Sequence, residues 1–109
     1  MLPFSISGPR RPRYLLEEVK KAIRDGRYWI TRHAGLDAAS LYLDEDDIKH
    51  CVLKLEEHHF FKTMPSTRIP GLNQDVYKCR YGGLPIYTKL QIGREGQAVV
   101  ISFKRDESA

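Results

Sequence analysis

Three runs of alternating apolar and polar residues, separated by glycine-bearing turns, fill the last third of this chain and constrain its fold more than any other feature. Residues 74–80 lead into Tyr81-Gly82-Gly83, residues 84–92 into Gly93-Arg94-Glu95-Gly96, and residues 97–104 complete the series. Period-two alternation rich in β-branched and aromatic residues marks half-buried strands. Short glycine-containing connections join such strands into an antiparallel meander. Because successive side chains point to opposite faces, each strand can be sorted by face. Tyr77 and Cys79 oppose Gln74, Val76, Lys78 and Arg80; Ile86, Thr88, Leu90 and Ile92 oppose Tyr87, Lys89 and Gln91. In the third run, Val99, Ile101 and Phe103 are expected inside, with Ala98, Val100, Ser102 and Lys104 outside.

Upstream the period becomes helical. Leu15, Leu16, Val19, Ala22 and Ile23 form an apolar stripe from about residue 13 to 25, with Glu17 spaced to pair with Lys21 and Gly26 suited to the stop. Residues 27–31 read as a short strand, and 33–40 as an Ala-rich stretch of one or two helical turns. A stronger helix begins at Asp44, a good N-cap, with Glu45, Asp46 and Asp47 loading its first turn. That position explains the acidic cluster better than a metal site does. The expected fold is therefore α+β, with N-terminal helices packed on one face of a small antiparallel sheet. Residues 1–13, with Pro3, Gly8, Pro9, Pro12 and three arginines, read as a basic flexible arm, and 14–109 as a single domain.

If helices cover the apolar face, the other collects Gln74, Lys78, Arg80, Tyr87, Lys89, Gln91, Ser102 and Lys104, a group without a carboxylate. Polar residues are ordinary on a solvated face, and lysine also guards sheet edges. The charge distribution adds weight to a binding role. The net charge is +4, and it arises wholly after residue 59, where eight Lys/Arg face four Asp/Glu. A one-sided basic surface suits a polyanion, because neutralising phosphates releases counterions. Cys51 and Cys79 read as small buried hydrophobes of a reducing compartment. The start of the chain has no signal-peptide core, and no apolar run approaches a membrane span, so a cytoplasmic location without membrane association is expected.

Cutting RNA without a metal requires activating a ribose 2′-OH, stabilising charge on the phosphoryl oxygens and protonating the leaving 5′ oxygen. Lysines, a phenol and an amide can serve these tasks. His58 and His59 precede Lys62 and offer a less favoured route. The cysteines are not placed to complete a zinc site with them. No metal or other cofactor is expected.

Four segments make the reading more specific: Phe60-Phe61-Lys62-Thr63-Met64, Gln74-Asp75-Val76-Tyr77, Ile86-Tyr87-Thr88-Lys89 and Ile101-Ser102-Phe103-Lys104. They resemble, in the same order, segments of the MqsR family of messenger-RNA-cleaving toxins. The resemblance implies a RelE-like fold and a sequence-selective endoribonuclease, independent of metal and ribosome, in a type II toxin–antitoxin system. It places the family's catalytic lysine, glutamine, tyrosine and second lysine on Lys62, Gln74, Tyr87 and Lys104. Lys78, Arg80 and Lys89 would then hold flanking phosphates of the messenger RNA, and the implied partner is a cognate, DNA-binding antitoxin. Residues 65–73 depart from the family's pattern, with Asn73 where an aromatic residue is expected, so the cleavage consensus does not carry over. The same face could instead bind RNA or a ribosomal surface without cutting. A lysine, the tyrosine or a nearby histidine could act as base.

Overall fold

The computed structural model describes residues 11–108. It contains, in chain order, α1 (Leu16–Arg24), β1 (Tyr28–Ile30), α2 (Arg32–Ala39), α3 (Glu45–Leu53), a 3₁₀ turn (Glu57–His59), β2 (Phe60–Pro65), β3 (Asn73–Tyr81), β4 (Leu84–Ile92) and β5 (Ala98–Arg105). The architecture is α+β, as expected. The sheet has five strands in the order β1-β5-β4-β3-β2. It is mixed rather than wholly antiparallel, because β1 runs parallel to β5 with Trp29 opposite Val99. After β1 the chain crosses over through α2 and α3 and enters the sheet at its far edge. The meander β2 to β5 then returns alongside β1 in the same direction, which a hairpin could not do.

Local chemistry explains the helices. The apolar stripe of α1 buries Val19, Ala22 and Ile23, and Gly26 at φ +79° ends it. Lys21 pairs with Asp25 at 2.8 Å rather than with Glu17. Thr31, expected at the end of a strand, is the N-cap of α2: its hydroxyl accepts the Ala34 N–H at 3.1 Å and donates to the Ile101 carbonyl at 2.8 Å. One side chain thus starts the helix and ties it to β5. Asp44 and Asp47 form a reciprocal capping box at the head of α3, at 3.0 and 2.9 Å. Asp47 also accepts the Tyr81 hydroxyl at 2.9 Å, and Glu45 accepts that of Tyr28. Two of the three first-turn acids therefore have packing partners in the fold.

The core lies between the helices and one sheet face, where Val19, Ile23, Ile48 and Val52 meet Tyr77, Ile86, Leu90, Val100 and Phe103. Cys51 and Cys79 are free thiols in this layer, with their sulfurs 3.4 Å apart. Two bulges interrupt the alternation. Phe61 is the extra residue of β2, since Phe60 pairs with Tyr77 but Lys62 with Val76. Ile101 is the extra residue of β5, since Lys89 pairs with Ser102 but Leu90 with Val100. The second bulge corrects the expected faces of β5. Ala98, Val100 and Phe103 are buried, while Val99 and Ile101 lie on the other side, because one inserted residue reverses the phase.

Of the basic arm, residues 1–10 lie outside the described ones. The backbone N–H groups of Arg13 and Tyr14 donate to the two carboxylate oxygens of Asp75, at 2.8 and 2.9 Å. No helix among the described residues is long and apolar enough to cross a membrane.

Candidate active site on the open face of the sheet

On the face away from the helices, strand register arranges the polar residues in rows, since directly opposed residues share a face. One row runs Lys62, Val76, Lys89, Ser102 across β2, β3, β4 and β5. The next runs Lys78, Tyr87, Lys104 across β3, β4 and β5. On the other side of the first row, the Asp75–Leu90 pair sets Gln74 and Gln91, one residue further along each strand, beside one another. All four predicted catalytic positions, Lys62, Gln74, Tyr87 and Lys104, are thus gathered on one face. Lys62 lies on β2, an edge strand of the sheet. The pattern around it was masked by the bulge at Phe61.

Lys89 is central to this arrangement. Its pKa is lowered from the ordinary 10.5, first because it is partly buried and then because Lys104 and Lys62 repel its charge. Folded Lys89 therefore releases its proton below the pH at which an unfolded lysine does. Its charge opposes folding at neutral pH, and that opposition fades as the pH rises through the folded pKa towards 10.5. Removing either neighbour should raise the value: in Lys62→Met and Lys104→Met, an NMR titration of Lys89 is expected to move to higher pH. An unmoved titration would show that the three ammonium groups are too far apart to interact.

Tyr87 is shifted upward, chiefly by burial and secondarily by the Asp106 carboxylate. Its phenol stays protonated at neutral pH. The Lys104 ammonium lies 5.2 Å from its ring centroid. Asp106 corrects the expectation of a face free of carboxylates. It follows β5 and approaches Lys78, with 3.5 Å between Oδ2 and Nζ. Its own pKa is lowered, first by hydrogen bonding from the Ser108 hydroxyl. Lys78 also donates to Ser108 at 3.0 Å, so it is a partly neutralised cation. Arg80 turns to the Gly83 carbonyl at 2.6 Å, at the far end of the face.

Two residues on this side of the molecule were not singled out by sequence reasoning. Phe61 is 51% exposed, with the Lys78 ammonium 3.9 Å and the Lys62 ammonium 5.6 Å from its ring centroid. Only the bulge brings it beside these cations. His33 lines a cavity with Gln74, Gln91 and Ser102, because α2 packs along β5. Its Nε2 is 3.3 Å from Asp37. His58 pairs with Glu56, and His59 accepts the Glu56 backbone N–H, both at the 3₁₀ turn before β2. No cluster of three or more His, Cys, Asp or Glu able to hold a metal occurs among the described residues.

A sequence model of the family described as "Motility quorum-sensing regulator, toxin of MqsA" matches residues 11–105. The chain belongs to the MqsR toxin family. The mRNA interferase toxin MqsR of Escherichia coli (strain K12) is 33% identical over 95 residues, covering 87% of this chain and 95% of that protein. The match to the MqsR family spans every row of the open face, from Lys62 to Lys104. It begins at Arg11, so it also includes the segment that Asp75 holds against the sheet.

Proposed function

We propose that this protein is an endoribonuclease toxin that cleaves messenger RNA in a sequence-selective manner, without a metal ion or the ribosome. The observation that carries the reading is the grouping of Lys62, Lys89, Lys104 and Tyr87 on one open sheet face, in a chain of the MqsR family. Lys62 and Lys104 supply the positive charge that a dianionic phosphorane-like transition state demands. Lys62 and Lys104 contact the scissile phosphate, and Gln74 positions the phosphate or ribose. Tyr87, held in its protonated form, donates a hydrogen bond or proton toward the departing 5′ oxygen. Lys89 holds its proton less tightly than an ordinary lysine, and its unprotonated amine is our choice for the group that accepts the 2′-OH proton. The 2′ oxygen bonds to phosphorus as the bond to the 5′ oxygen breaks, leaving a cyclic phosphate and a 5′-hydroxyl. Arg80 and, more weakly, Lys78 hold flanking phosphates.

The family description, toxin of MqsA, supports a cognate antitoxin as partner, and we propose a DNA-binding one. A messenger-RNA substrate implies a cytoplasmic site of action.

The test is incubation of the purified chain with a structured messenger RNA in EDTA, without ribosomes, followed by mapping of the ends. Discrete cuts with 5′-hydroxyl ends are expected. RNA that is bound yet intact would overturn the nuclease reading in favour of a binding module on the same face.

A further inference from the structure

A cavity of about 770 Å³ opens beside the site, between the start of α2 and the loop of residues 66–72. It shares Gln74 and Ser102 with the rows described above, so it is continuous with the proposed catalytic face. Its walls differ from that face. Leu36 and Ile69, which are 58% and 56% exposed, contribute apolar surface from α2 and the loop, while Arg32 and Arg68 add positive charge. At the base stands Gln91, whose Oε1 is buried and accepts no hydrogen bond from the described residues. Buried acceptors in folded proteins nearly always have a donor, so this amide gains by turning its polar edge toward a donor in the cavity. Trp29 extends the same row. It lies opposite Val99, a lining residue, on the exposed side of β1, and is 65% exposed.

We propose that this cavity is the base-recognition subsite of the nuclease, receiving one unstacked nucleobase next to the scissile phosphate, with Gln91 reading its hydrogen-bonding edge and Trp29 offering a stacking surface at the rim. The inference rests on the ribonuclease reading and deepens it. Single-stranded RNA is recognised by splaying bases out, covering their faces with side chains and hydrogen-bonding their edges. The cavity offers those elements: apolar side chains for the faces, an amide for the edge, and arginines for the phosphates that flank it. Its separation from the Lys62–Lys89 row is one row of the sheet, about 7 Å, a reach suited to a single nucleotide. The departure of residues 65–73 from the family's pattern falls on one wall of this cavity, so the loop that differs is a loop that would touch the base.

The experiment has two readouts. Cleavage ends are mapped on a randomised RNA for the wild type, Gln91→Leu and Lys62→Ala. In parallel, fluorescence of Trp29, the only tryptophan in the sequence, is followed on titration with 2′-deoxy-substituted, uncleavable oligonucleotides that differ at one base. The wild type should prefer one base class by about tenfold or more, and Gln91→Leu should flatten that preference in both readouts. Lys62→Ala should lose cuts at every sequence yet keep the base preference in binding. A wild-type preference unchanged in Gln91→Leu overturns the subsite. Absence of cleavage by the wild type overturns the nuclease reading alone; the base-dependent fluorescence change then still upholds the subsite, and its absence overturns it.

Discussion

Lys62→Ala is expected to lower the rate of RNA cleavage by about 10²- to 10³-fold, the usual loss when one preorganised partner of a developing oxyanion is removed. Lys62 forms no ion pair with a carboxylate among the described residues, so its charge is available to the phosphate. Lys78, by contrast, is already engaged by Asp106 and Ser108, and Lys78→Ala should cost much less. The variant should remain folded, because removing one of three mutually repelling ammonium groups relieves repulsion at Lys89. A second signature follows from the same contact. With Lys62 gone, Lys89 holds its proton more tightly, so the residual activity should shift to higher pH. Single-turnover rates across pH would check both points. Undiminished cleavage in Lys62→Ala would remove this lysine from the mechanism, and an unshifted profile would remove Lys89 as the proton acceptor.

Asp75→Ala is expected to destabilise the protein by about 3–5 kcal/mol, a large share of the 5–15 typical of a domain. Asp75 is only 1% exposed and stands on the core side of β3 opposite Leu90. It accepts the backbone N–H groups of Arg13 and Tyr14 and the Thr63 hydroxyl, the last at 2.5 Å. Hydrogen bonds to a charged acceptor contribute roughly 1.5–3 kcal/mol each, and losing the acceptor also strands its donors. Three of them converge on one carboxylate, which is why it can be buried at all. Asp75→Asn should fall between the two, since an amide keeps one acceptor and turns an NH₂ toward a donor. Urea titrations read by the midpoint at unchanged slope would measure this. A midpoint like that of the parent protein would mean that the segment before α1 contributes nothing to stability.

Both predictions involve β2, which was not recognised as a strand from the local pattern. Lys62 and Thr63 belong to it, yet the doublet Phe60-Phe61 breaks the alternation that would have revealed it. The bulge at Phe61 is stable only because β3 is there to pair around it.

The sequence by itself determined much of this protein. The cap at Asp44, the meander and the two faces of β4 are all local patterns: a cap, a turn or an alternation repeats within a few residues and needs no partner to be read, whereas the four positions proposed for catalysis came from the resemblance to the MqsR family. Tertiary structure decided the rest. The parallel pairing of β1 with β5, the phase of β5 across Ile101, the approach of Asp106 to Lys78 and the cavity beneath His33 each join residues distant in the chain or depend on a neighbouring strand. A bulge disturbs the alternation of one strand without showing which residue is extra, because it is a mismatch between two; a cavity leaves no periodic trace at all, because its walls come from α2, the loop after β2 and three strands of the sheet.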